Sequence, residues 1–527
     1  MNRRKITALL VLLFLVACSP EESAIPTTAP PEASATTAPT PTIPPPTATA
    51  TSPIQSPTAT QFVESTEMPI PEVLQLESGD YLVYIKNVEK GDELIFIKSD
   101  GSSMVSRRFP HFPPYVMQPL DGVSPDGKYF AFYTGYAGMF MEYDPAQKFN
   151  LQLNIISLQG GTEVIEIPLL SISYPLNFYM LAVENLEQLY EEIGVTTAED
   201  AARELYNAFL QGIGSLEWSP DSRYLAFAGQ MDGLSSDLYV FDTHDNSVTQ
   251  LTSGPGQIQR LSWSPDSKQI MHASANWFSI HTPTTNHVVS VDGTNAISFP
   301  YDKGEFEGGW LNDYQYVVYE AANGPGEYDI TLLDTHEGTV RLIWPDNFNS
   351  IDFIARRNQL LVTTHPTESE LEPGAFLVNV NNTNYTRIAT GIASGEALEH
   401  DDYLCAIAFY DDVSYLVTTE YEMQEISDMS WGIEVSPSNE ILAIYSNDYL
   451  DEDARLDIFF LRDQSTLTIF EGGVTKVIWS PDASGLFFVA DDALHLYDIE
   501  RGTTTLIDPL IEGSYRWKTD YLFISIE

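Results

Sequence analysis

Cysteine is nearly missing from this sequence: Cys18 and Cys405 are the only two in 527 residues. If Cys18 is consumed by processing, as argued below, no intrachain disulfide framework exists. Basic residues are scarce as well, 25 Lys and Arg against 75 Asp and Glu, for a net charge of −50. A field of that sign repels phosphate backbones and argues against nucleic acid as a partner. Its first reading is solubility for an exported protein. The apolar run 6–17 has 12 residues, too short for a transmembrane helix, which needs about 20.

Catalytic and metal motifs are also lacking. Gly391-Ile392-Ala393-Ser394-Gly395 places its serine one position too late for a nucleophile elbow. No His-Glu-x-x-His, P-loop or EF-hand pattern occurs. His400-Asp401-Asp402 is a tight His–carboxylate cluster on a loop, read as solvated. Asp448, Asp451, Glu452 and Asp453 share one acidic loop whose spacing fits no calcium site. No metal, cofactor or enzymatic activity is expected on these grounds. After the last repeat no room remains for a hydrolase domain, so a propeller-capped peptidase is not expected.

What the chain does contain is a repeat. Leu216–Gly229 reads as strand, tight turn, strand, with Trp218-Ser219-Pro220-Asp221 at its centre. Proline presets φ for the turn, and serine and aspartate hydrogen-bond local backbone. The unit returns as Trp263-Ser264-Pro265-Asp266 and Trp479-Ser480-Pro481-Asp482, and in weaker form as Ser124-Pro125-Asp126-Gly127 and Val435-Ser436-Pro437-Ser438. Gly309-Trp310-Leu311-Asn312-Asp313 and Asp352-Phe353-Ile354-Ala355-Arg356 occupy the same phase in degraded form, and 398–426 is strand-rich without a turn motif. A period of roughly 40–45 residues filled with short strands predicts propeller blades. The fold expected is all-β, a β-propeller of about seven or eight four-stranded blades. Tyr521–Ile526 lacks outer strands of its own, which the N-terminal strands are expected to supply.

These motifs resemble the Trp-Ser-Pro-Asp-Gly repeat of TolB-like (WD-like) β-propellers, over most of residues 73–527. The resemblance is specific for fold; relatives act as protein-interaction platforms, as caps on peptidases and as surface lipoproteins. The repeated Trp, Ser, Pro and Asp residues are read as structural, the tryptophans wedged between blades and the aspartates tying the turns. Residues 171–214 break the rhythm. Phe178, Leu181, Leu186, Leu189, Tyr190 and Ile193 recur at helical spacing. A second helix is expected to start at a Thr197 cap with Asp200 three residues on. This helical hairpin is expected to cover or plug one face of the ring.

The N-terminus reads as an address. Arg3, Arg4 and Lys5 precede the apolar run, which ends Leu15-Val16-Ala17-Cys18. This resembles the lipobox of bacterial lipoproteins, in which the cysteine thiol is lipidated before cleavage, so 1–18 is expected to be a signal peptide. Residues 19–72 are rich in Pro, Thr, Ala and Ser and hold too little apolar surface to fold; they are expected to be a tether. The expectation is therefore an extracytoplasmic propeller, held to the membrane through its lipid only, that binds or scaffolds an envelope protein or peptide. A channel-sited glycan enzyme using paired carboxylates is the alternative, and a purely structural envelope protein a third reading.

Overall fold

The computed structural model describes residues 76–526 except 110–118, 135–150, 171–195, 201–214, 276–284, 300–305, 322–327, 365–371, 447–453, 510–520 and shorter breaks. Expectations about Cys18, the tether, the first insertion helix, the acidic loop at 448–453 and the segment 515–520 lie outside the described residues. Within 171–214 the structure describes 196–198 and 200. There the Asp200 N–H donates to Thr197 Oγ1 at 3.1 Å, the bond of a helix N-cap.

Among the described residues, nine antiparallel sheets follow one another along the chain, eight with four strands and one with three. They are the blades of a β-propeller. The count corrects the expected seven or eight. The segment 398–426, strand-rich but without a turn motif, belongs to a full four-stranded blade, and the second blade, expected from Ser124-Pro125-Asp126-Gly127, has an irregular inner position. In that second blade, Tyr129–Thr134, Gln152–Ser157 and Val164–Pro168 form the sheet. The inner position holds a 3-10 turn, Pro119–Gly122, and a single bridge from Val123 to Phe130.

Blade one closes the ring. Its inner strand is Tyr521–Ile526, paired antiparallel to Gly79–Val88, which continues to Gly91–Lys98 and Met104–Phe109. Chain ends separated by over four hundred residues thus share one sheet, as expected. The other inner strands are Leu216–Trp218, Gln257–Trp263, Phe306–Asn312, Ser350–Ile354, Ala393–Ala397, Gly432–Val435 and Val474–Trp479, in blades three to nine.

The core is divided among wedges between neighbouring blades. Tyr81, Val83 and Phe96 of blade one pack against Phe130 and Phe132 of blade two. Leu456 and Ile458 of blade eight meet Trp479 and Phe488 of blade nine, and Phe487 and Leu494 of blade nine meet Leu82 and Ile97 of blade one. Middle strands bury both faces in this arrangement, which is why Tyr403–Phe409 is buried at every position.

The tryptophans bridge these wedges. Trp218 Nε1 donates to the Gly122 carbonyl, Trp263 to Glu217, Trp310 to Ser262 and Trp479 to Glu434, at 2.8–3.2 Å. Each acceptor belongs to the preceding blade. Tyr129 and Tyr224 of the preceding blades stack on Trp218 and Trp263. In the turns, the Ser124, Ser219, Ser264 and Ser480 hydroxyls donate to Asp126, Asp221, Asp266 and Asp482 at 2.6–2.8 Å. The same hydroxyls accept the N–H that opens the next strand, at 2.9 Å. Pro125, Pro220, Pro265 and Pro481 sit between each pair. Neighbouring turns are stitched as well: the Asp126 and Asp221 N–H groups donate to the Ser222 and Ser267 hydroxyls of the next blade, at 2.9 and 3.1 Å.

Candidate functional site: a carboxylate wall on the inner strands

Strand register identifies the position equivalent to the tryptophan in repeats that lack one. Trp218 pairs with Leu225, Trp263 with Ile270 and Trp479 with Leu486, each seven residues on, and Phe353 with Leu360 and Val435 with Leu442 do the same. In blade seven the partner of Ala397 is Cys405, because the turn is one residue longer. Tryptophan is therefore replaced by Phe353, Ala397 and Val435 in three successive blades. The residue just before this position reads Gly122, Glu217, Ser262, Gly309, Asp352, Glu396, Glu434 and Ile478 around the ring. Successive strand residues point to opposite faces. The tryptophan reaches back to the preceding blade, so the residue before it reaches forward to the next, on the innermost strand that lines the ring's centre.

Acidic side chains fill this position where the tryptophan is gone. The Asp352 carboxylate accepts the Ala397 N–H of the next blade and the Phe353 N–H, both at 2.7 Å. The Glu396 carboxyl lies near that of Asp352. Burial, with the charges of Asp352 and Glu434 added to it, pushes Glu396 up to about 8, so it is mainly protonated at neutral pH. Burial also raises Glu434, which Lys476 of blade nine pulls back and Asp352 raises further. Tyr445, on the strand beside Glu434, is pushed up to about 12 by burial and by Glu434 and Glu396. Asp352, Glu396, Glu434 and Lys476 all keep partial contact with solvent. Lys476 Nζ lies 5.9 Å from the ring centre of Tyr521 on the closing strand.

Glu217 holds the same position in blade three. Burial raises its carboxyl to about 8, against a bond from the Trp263 N–H and with a contribution from Asp121. Its Oε2 is shut off from solvent and has no hydrogen-bond partner among the described residues.

None of these acidic residues was singled out from the sequence, because each copy shows a single unremarkable carboxylate. Reading the residue before the tryptophan across all copies would have exposed Asp352, Glu396 and Glu434 as a run. Of the residues that were singled out, the Trp-Ser-Pro-Asp groups lie in wedges and turns as described. His400 Nδ1 accepts the Asp402 N–H at 3.1 Å, and Ser394 lies within an inner strand. Among the described residues no three His, Cys, Asp or Glu side chains are gathered so as to hold a metal ion. No helix among them is long and apolar enough to cross a membrane.

Fold and site together define a nine-bladed β-propeller with an acidic inner wall. No protein-family model matches the chain. Over 54 residues, 10% of its length, it is 37% identical to a Bacillus subtilis (strain 168) protein named uncharacterized peptidase YuxL, of which the match spans 8%. Among solved structures it is similar to TolB from Acinetobacter baumannii, with 10% identity over 66% of this chain and 81% of that one, TM-score 0.26. It is similar also to a prolyl endopeptidase, with 12% identity over 65% and 57% of the two chains, TM-score 0.36. A eukaryotic initiation factor gives 12% identity over 81% and 95%, TM-score 0.47. These likenesses show the fold alone. The peptidase match corrects the expectation that the chain is not an enzyme. That expectation rested on missing linear motifs, and a propeller assembles reactive groups from inner strands some forty residues apart, where no linear motif records them.

Proposed function

We propose that this chain is a propeller of the cell envelope, moored outside the cytoplasm through a lipid on Cys18, that binds a protein or peptide against Asp352, Glu396 and Glu434. The observation that carries this reading is the recurrence of an acid at one register position of three successive inner strands, Asp352, Glu396 and Glu434, in the sector where the bridging tryptophans are replaced. A fold-only role gives no reason to press three acids together, since each raises the cost of ionising its neighbour. The test compares partners recovered from envelope extract by the full chain and by its D352N/E396Q/E434Q variant. A partner held by the first and lost by the second supports the reading; identical recovery ends it. Mass spectrometry of the native N-terminus tests the lipid on Cys18.

A second reading, catalysis, is favoured by the Asp352–Glu396 pair. Two neighbouring carboxyls of which one is held protonated are chemically able to activate a water molecule. Turnover of envelope peptides by purified protein, lost in E396Q, would promote this reading.

A further inference from the structure

We infer that Asn384 is an N-glycosylation site, taking a sugar chain on its side-chain amide. Asn-x-Ser/Thr is the acceptor pattern for such a transfer in exported chains, and it has to lie on an exposed segment. The pattern occurs twice in 527 residues, as Asn381-Asn382-Thr383 and Asn384-Tyr385-Thr386. Both copies fall at the turn between the last two strands of blade six, Gly374–Asn379 and Tyr385–Thr390. The two-residue period of a strand puts Asn384 and Thr386 on one face and Tyr385 on the other. Tyr385 spends its ring on the wedge, 5.2 Å from Trp344 and 5.9 Å from Phe376. Asn384 and Thr386 are both exposed. Among the described residues neither side chain holds a hydrogen bond. The amide that accepts the sugar and the hydroxyl two residues on are therefore presented together at the rim.

The neighbouring copy is spent on the turn itself. The Thr383 hydroxyl donates to the Asn382 carbonyl at 2.7 Å, from a residue held at φ 61°. The Arg341 guanidinium of blade five donates to the Asn381 carbonyl. Asn384 is thus the acceptor and Asn381 is not. The donor is a sugar activated at its anomeric carbon as a lipid pyrophosphate. Asn384 Nδ2 forms the new bond to that carbon, and the bond from the carbon to the pyrophosphate oxygen breaks. The lipid pyrophosphate leaves with the electron pair, and one Nδ2 proton passes to a base of the transferase; nothing is oxidised or reduced. The transfer takes place outside the cytoplasm, so the inference rests on the envelope reading.

The test is peptide mass spectrometry of the full chain purified from its native cells. Peptides holding Asn384 should carry a sugar mass in the unaltered protein and in N381Q, and lose it in N384Q and T386A. T386S, which returns a hydroxyl, should restore it. The substituted side chains are exposed, so melting temperatures should stay unchanged, which separates a lost acceptor from a misfolded chain. A bare Asn384 in the unaltered protein, a sugar on Asn381 instead, or a sugar kept in T386A overturns the inference. The same digest reads Cys18. A lipid there with Asn384 bare ends the glycan and leaves the envelope reading standing; neither modification ends both.

Discussion

Ala483 occupies the left-handed turn position at φ 58°, where other copies place Gly127, Ser222, Ser267 and Asn439. A Cβ there costs about 1 kcal/mol, so A483G is expected to stabilise the protein by about that amount in denaturant melts. Trp263 is 4% exposed and spends its only side-chain donor on the Glu217 carbonyl. W263A should destabilise by about 3–5 kcal/mol, read as a lowered denaturation midpoint. Glu217 gives a prediction of sign. Its carboxyl is raised from 4.5 to about 8, so between those values the folded state holds a proton that the unfolded state has lost. Stability should fall across that window as pH rises, by up to about 1.4 kcal/mol per unit. E217Q is expected to flatten this limb, which melting curves at pH 5 and 8 would show.

Within one blade, strands couple titration to packing. His272 and His287 face each other across neighbouring strands of blade four, stacked at 5.0 Å. Burial, then the charge of His287, pushes His272 down to about 3, and burial lowers His287 too. A histidine depressed in the folded state takes up its proton on unfolding. Stability from this pair is therefore fully present above about pH 6.5 and lost progressively as pH falls towards 3. H272L should flatten the acid limb of a pH–stability curve. Blade seven shows the other side of the same coupling. With Ala397 in place of tryptophan, no indole reaches back to blade six, and the Asp352 carboxylate takes the Ala397 backbone N–H, as the Glu217 carboxyl takes that of Trp263.

Closure is a property of the whole ring. The Lys86 ammonium of blade one meets Asp508 of blade nine at 2.8 Å, and the Tyr84 hydroxyl donates to the same carboxylate at 2.5 Å. Both charges are largely buried, with side chains 12% and 9% exposed. Removing one partner leaves an uncompensated charge, so K86M should cost about 3 kcal/mol, with K86M/D508N recovering part of it. Differential scanning calorimetry would read the loss as a lower melting temperature, since the seam joins the chain's two ends.

The sequence alone determined the architecture, because wedge-filling tryptophans and Ser-Pro-Asp turns are local chemistry that each blade must repeat. Residues such as Trp218 and Trp479 announce themselves through that repetition. Blades that replaced the signature, around Phe353 and Ala397, weakened it and left the count to the structure. Only the tertiary fold decided the site: Asp352, Glu396 and Glu434 lie about forty residues apart in the chain. Ring closure presses them together, and burial with mutual repulsion then changes their chemistry.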